Sequence, residues 1–141
     1  MKQFRDTNYY VTEDGKIFRY FPEYYHEYYT NHYGANGIVK KSLQKRRRPE
    51  KWKELGYRDN GHGYLKCAIS VNNKMTHKRV HQMVAECYVK GYFEGAEVDH
   101  IDCNKQNNHY TNLQWCTPEY NRVKGNNPTY PLFSEVCSTL Q

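Results

Sequence analysis

Hydrophobic and polar positions along this chain form several short periodic runs, and each run predicts an element. Tyr9-Tyr10-Val11-Thr12 and Lys16-Ile17-Phe18-Arg19-Tyr20 are β-prone and flank Glu13-Asp14-Gly15, which predicts a hairpin. Residues 64–71 predict a strand, Asn72-Asn73 a turn and residues 74–78 the returning strand. In residues 79–89, Val80, Met83, Val84, Cys87 and Tyr88 fall at i, i+3, i+4, i+7 and i+8, the single apolar face of a core helix ended by Gly91. Residues 97–101 and 113–116 read as short strands around a polar, Asn-rich loop at 102–111. Thr117-Pro118 has the chemistry of an N-cap and first helical position, and that helix stops at Gly125. Residues 21–33 are Tyr-rich with no clean period and read as a short helix or an ordered loop, broken at 34–37. Residues 126–141 hold no Lys or Arg and two Pro, and read as a tail that packs loosely or frays. The expected class is α+β: small β-hairpins and a helix that leads into a β-β-α motif. The expected divisions are 1–60, a hairpin with a basic arm; 61–125, the principal domain with its motif at 97–124; and 126–141, the tail.

Composition sharpens this picture. A chain of 141 residues is one domain, or a small domain plus an arm. It carries 15 Tyr and 2 Trp at a mean hydropathy of −1.08 and a net charge of +6. Disordered chains are poor in aromatics, so this one is expected to fold, with most Tyr filling a core short of Leu and Ile. A basic, aromatic-rich chain suggests a polyanion partner, with nucleic acid the first candidate. No run of about 18 apolar residues exists and residues 1–14 hold no apolar h-region, so neither a membrane span nor a secretory leader is expected, and a cytoplasmic location is. The five Cys are odd in number and lack a C-x-x-C pair, which argues for reduced thiols over a disulfide framework or a four-Cys zinc site. Between positions 40 and 58 lie nine Lys or Arg, read as a solvated, mobile segment or an arm that contacts phosphates.

The chemistry is concentrated in residues 98–121, V-D-H-I-D-C-N-K-Q-N-N-H-Y-T-N-L-Q-W-C-T-P-E-Y-N. A strand–loop–strand–helix of this length can fold back on itself and gather a carboxylate, an amide oxygen and an imidazole. One or two protein oxygens completed by water and substrate phosphate suit Mg²⁺ or Mn²⁺. An imidazole beside them suits a general base near neutral pH.

The pattern D-H-I-D-x-N-x-x-N-N-x-x-x-N-L-x-W, followed by Asn on the next helix, resembles the HNH endonucleases, in particular the phage and intron homing subgroup whose last motif residue is Asn. The preceding R-V-H-Q-M-V-A-E-C-Y is similar to the helix leading into that motif. Y-Y-V-T-E-D-G-K-I-F-R is similar to a small DNA-binding module often fused ahead of such nucleases. The resemblance implies a ββα-metal fold in which His100 is the general base and Asp99 and Asn121 hold one divalent ion, Mg²⁺ or Mn²⁺ rather than zinc. It implies that Asn112 pins the loop and holds the base by hydrogen bonds, and that hydrolysis leaves 5′-phosphate and 3′-hydroxyl ends. His81 and Asp102 are second-tier candidates: His81 to touch the phosphate or pack in the core, Asp102 as a second acid or a loop cap. Cys103 stands where the family usually has Gly, and would be strained if the loop requires φ > 0 there. No helix-turn-helix is recognisable after Gly125.

Double-stranded DNA is the expected partner of a single copy of the chain. Its phosphates are assigned to Lys16, Arg19, Lys45, Arg46, Arg47, Arg48, Lys66, Lys74, Lys78, Arg79, Arg122 and Lys124, with Lys66, Lys74 and Lys78 forming one basic face. Either hairpin could enter the major groove. Two other readings compete: a non-catalytic DNA-binding module of the same fold, and a zinc-stabilised structural or RNA-binding protein using Cys103 and Cys116.

Overall fold

Three strands, β1 (Lys2–Gln3), β2 (Tyr9–Val11) and β3 (Ile17–Phe21), pair antiparallel in that order in the computed structural model, which describes residues 1–139. Val11 opposes Ile17 across the turn at Gly15, whose φ of 89° only glycine adopts freely. The alternation of the strands sends Tyr9, Val11 and Ile17 into the core.

The next two strands correct the sequence reading. Residues expected as a short helix or loop form β4 (Tyr24–Tyr33), and six of the nine cations of the expected basic run fall in β5 (Val39–Arg48). The two pair over ten residues, from Tyr24–Arg48 to Tyr33–Val39. Neither strand buries a face, so no apolar alternation marks them. Cross-strand partners such as Tyr29–Leu43 and Thr30–Ser42 stabilise the ribbon instead. Tyr24, Tyr25, Tyr28, Tyr29 and Tyr33 are all exposed, so a third of the chain's tyrosines lie on this ribbon and not in a core.

The chain continues through β6 (Lys51–Glu54), the fourth strand of the first sheet, and β7 (Arg58–Asp59) to the second expected hairpin, β8 (Leu65–Val71) and β9 (Lys74–Arg79). Asn72 and Asn73 both have positive φ, 50° and 59°, as a two-residue hairpin turn requires. This turn pairs Lys66 with Arg79 and Cys67 with Lys78, so the expected single basic face does not form. Lys66 and Arg79 share one face, whereas Lys74 and Lys78 lie on the face of Cys67 and Ile69.

Then follow α1 (Val80–Tyr88), β10 (Glu97–His100), a 3-10 turn at Tyr110–Asn112, β11 (Leu113–Cys116), α2 (Pro118–Lys124) and α3 (Phe133–Thr139). Thr117 caps α2 by accepting the Tyr120 N–H, with Pro118 behind it, as the sequence predicts. The expected loose tail contains α3. The Tyr120 hydroxyl donates to the Pro131 carbonyl, Phe133 N–H donates to Gln114, and Phe133 stacks edge-on with Tyr120. None of the described helices is long and apolar enough to cross a membrane.

Contacts divide the chain into two compact units: Met1–Arg19 together with the chain from Glu54 onward, and Tyr20–Lys53. The division expected at residue 60 is therefore not where the structure divides. Phe4, Tyr9, Val11 and Ile17 enter the same core as Cys67, Ile69, Val80, Met83, Val84, Leu113 and Trp115, so the N-terminal hairpin is part of the body that carries the motif.

Candidate active site

Strands β10 and β11 place Asp99 opposite Gln114 and His100 opposite Leu113. The intervening loop is closed by Asn112. Its amide donates to Asp102 Oδ1 (2.8 Å) and the Asn107 carbonyl (2.9 Å), and its oxygen accepts the Asp102 N–H (3.1 Å). Asp102 Oδ2 also accepts from Asn107 (2.9 Å) and its Oδ1 from the Asn104 N–H (2.8 Å). Desolvation pushes this carboxyl up, but the three hydrogen bonds outweigh it and hold the pKa below its ordinary value. Asp102 is thus a loop cap. Cys103, next to it, has φ 63°, the left-handed conformation that glycine would adopt without strain.

His100 is 4% exposed and its Nε2 lies 2.9 Å from Asn108 Oδ1. With an amide oxygen as partner, Nε2 holds the proton and Nδ1 keeps the lone pair. Burial lowers the His100 pKa, and the Asn108 bond with the charges of Asp99 and Asp102 only partly offsets this, so the ring takes up its second proton at a lower pH than an ordinary imidazole. Asn112 closes the loop, whereas the hydrogen bond to the His100 ring comes from Asn108.

His81 lies edge-on to His100, with centroids 4.9 Å apart, and 5.1 Å from the Tyr64 ring. Burial, then the proximity of His100 and Arg79, pushes its pKa down to about 3. Its Nδ1 is buried without a hydrogen-bond partner. The ring lines a cavity of ≈ 260 Å³ with Arg79, Glu97 and Asn121.

Asp99 and Asn121 line a smaller cleft of ≈ 50 Å³ together with His100, Tyr64, Lys105 and Lys124. Two hard oxygen donors in one cleft fit a sparsely ligated Mg²⁺ or Mn²⁺, with water and phosphate completing the shell. Among the described residues no three His, Cys, Asp or Glu side chains converge on a common point. Asn121 donates to Glu97 Oε2 at 2.9 Å.

Lys124 overturns an expectation. Assigned to phosphate contact, it is 3% exposed and pairs with Asp99 Oδ1 at 2.9 Å. Burial draws its pKa down, but the hydrogen bond and charge of Asp99 lift it further, to above its ordinary value. The last turn of α2 points this residue back at β10, so its ammonium faces inward.

The other expected cations lie at or near the surface. Lys16 approaches Asp14 (3.8 Å), and the guanidinium of Arg19 lies over Tyr9, that of Arg79 over Tyr64. Lys74 and Arg122 are exposed, and Lys66 and Lys78 half-buried. On the ribbon, Lys45 pairs with Glu27 (2.9 Å) and Arg47 with Glu23 (2.8 Å). Arg46 and Arg48 fall on the opposite face, with Tyr24, His26, Gln44 and Lys40.

Sequence reasoning missed Asn108, Gln114 and Gly15. Gln114 donates to Asp99 Oδ2 at 2.8 Å, a partnership readable only from the strand register. A Cβ on Gly15 would lie 2.9 Å from Asn108 Cβ, and the Glu13 carbonyl accepts the Tyr110 N–H at 2.9 Å, so the β2–β3 turn supports the loop behind His100.

Residues 78–123 match the family model described as HNH endonuclease. This segment, about a third of the chain, resembles the HNH endonuclease family. Its helix, paired strands and capped helix are α1, β10, β11 and α2. An uncharacterised HNH endonuclease, L245, of Acanthamoeba polyphaga mimivirus is 46% identical over 61 residues, 43% of this chain and 18% of that protein. DNA endonuclease I-HmuI of Bacillus phage SP01 is 42% identical over 59 residues, 42% of this chain and 34% of its own length. A putative HNH homing endonuclease, YosQ, of Bacillus subtilis (strain 168) is 38% identical over 63 residues, 44% of this chain and 36% of that protein. The HNH alignment thus spans about a third or less of each relative. A solved structure described as DNA binding and cleavage by the HNH homing endonuclease I-HmuI superposes with a TM-score of 0.61 at 23% identity, covering 98% of this chain and 64% of that one, a likeness of fold.

Proposed function

We propose that this chain is a metal-dependent DNA endonuclease of the homing type, with His100 as general base. One observation carries the reading. A buried, neutral imidazole whose tautomer is set by Asn108 shares a cleft with the carboxylate and amide oxygens of Asp99 and Asn121. In the proposed reaction the His100 Nδ1 lone pair takes a proton from water while the water oxygen bonds to phosphorus and the P–O3′ bond breaks. A 5′-phosphate results, the leaving O3′ takes a proton from solvent water to become the 3′-hydroxyl, and His100 returns its own proton to solvent. An ion held by Asp99 and Asn121 would supply Lewis acidity to the phosphate and the leaving oxygen. Asn112 and Asp102 keep the loop, and with it the base, in place.

DNA as substrate is supported by charge. Tyr20–Lys53 holds eight Lys or Arg against three Glu, which is five of the chain's net six positive charges. The ribbon face bearing Lys40, Arg46 and Arg48 contains no carboxylate, which suits phosphate contact.

Supercoiled plasmid incubated with Mg²⁺ or Mn²⁺ tests the reading. Wild type should yield open-circular or linear product that chelation abolishes, and His100→Ala should be slower by about 10²–10⁴-fold. Absence of metal-dependent cleavage by wild type sinks the proposal. Retained DNA binding in that case would point to the non-catalytic module.

A further inference from the structure

Lys124 has three acceptors inside the cleft: Asp99 Oδ1 at 2.9 Å, the His100 carbonyl at 2.7 Å and Cys103 Sγ at 3.5 Å. Gln114 covers the other oxygen of Asp99 at 2.8 Å. The carboxylate suited to a divalent ion therefore already has a full positive charge on one side and an amide on the other. Around it, Lys105 adds a second cation, while Asn121 carries no charge. Asp99 is the one carboxylate among the described residues lining this cleft. Glu97, which accepts from Asn121, lines the neighbouring cavity with Arg79. The cleft is thus net positive before anything enters. A dication here would meet a fixed ammonium a few ångströms away, where little water screens them. A phosphodiester brings the missing negative charge.

We propose that Lys124 is a built-in counter-cation for Asp99 that makes uptake of the divalent ion conditional on DNA. The phosphodiester enters the positive cleft first, and the ion follows. The identity of the anion rests on the nuclease reading, whereas the antagonism between Lys124 and the ion does not. Linkage is reciprocal, so the ion tightens DNA by the factor by which DNA tightens the ion.

The test reads Mn²⁺ binding by the loss of its free electron-paramagnetic-resonance signal, with thermal melting in parallel. Wild type without DNA should take up Mn²⁺ weakly, and sheared duplex DNA should tighten uptake about tenfold or more after subtraction of the ions held by DNA alone. Lys124→Met should bind Mn²⁺ without DNA about tenfold more tightly than wild type. It should melt lower than wild type, because Asp99 is left buried and unpaired, and recover as Mn²⁺ is added. The double variant Asp99→Asn/Lys124→Met should fold and show no response to Mn²⁺. The proposal is overturned if wild type binds Mn²⁺ as tightly without DNA as with it, or if folded Lys124→Met is indifferent to the ion. Should Lys124→Met not fold, the wild-type comparison still decides. A protein that shows these Mn²⁺ responses but never cuts plasmid would refute the nuclease reading alone. One that cuts plasmid yet binds Mn²⁺ equally with and without DNA would refute the Lys124 role alone.

Discussion

Two imidazoles, His81 and His100, meet edge-on in the core of the motif, and both have pKa values lowered chiefly by burial. For His81 the folded value is about 3, against an ordinary 6.5. The unfolded chain therefore binds the proton more readily. Stability is fully present above pH 6.5 and declines as pH falls from 6.5 toward 3, by about 1.4 kcal/mol per pH unit for such a group. Denaturant unfolding at pH 7.5 and 5.0 should show this loss in wild type and a shallower one in His81→Phe, which keeps a ring against Tyr64 and removes the unpartnered Nδ1. Equal losses in the two proteins would assign the acid sensitivity elsewhere. The motif spacing pointed to His100, Asp99 and Asn121, and the cleft brings all three together. It could not tell which of several nearby Asn residues holds His100. Asn104, Asn107, Asn108 and Asn112 have the same side chain, and only the path of the loop selects Asn108.

Among the elements, the N-terminal hairpin has the least expected role. Its turn at Gly15 lies beneath Asn108, where an added Cβ would come within 2.9 Å of Asn108 Cβ at a φ of +89°. Gly15→Ala should destabilise the fold by about 1–3 kcal/mol. It should also slow plasmid cleavage well beyond any loss of folded protein, because displaced Asn108 no longer orients His100. Cleavage at the wild-type rate by folded Gly15→Ala would show that the turn does not support the base. The two hairpins and α1 were legible because each repeats an apolar position at the period of its own geometry around a recognisable turn. The ribbon was not, because a two-stranded element with both faces in water needs no such period.

At the scale of the whole molecule, charge is segregated. Residues 20–53 hold five of the six net positive charges, and the rest of the chain is nearly neutral. Within the ribbon, Lys45 and Arg47 are matched by Glu27 and Glu23, while Arg46 and Arg48 lie on the carboxylate-free face. Fluorescence anisotropy with a duplex at several salt concentrations should therefore separate two double variants. Arg46→Ala/Arg48→Ala should reduce the slope of log affinity against log salt by up to about two units, and Lys45→Ala/Arg47→Ala by about one or less. Identical slopes for both would mean that the ribbon does not present one face to DNA. By itself, the sequence determined the hairpins, the apolar face of α1, the cap of α2 and the order of the motif residues, since each depends on residues within a few positions of one another. Only the tertiary structure decided that Lys124 turns inward to Asp99, that Gln114 and Asn108 are the partners of Asp99 and His100, and that Gly15 lies against Asn108. Those contacts run between elements or across the loop, beyond the reach of any local period, and burial reverses what their charge and polarity alone suggest.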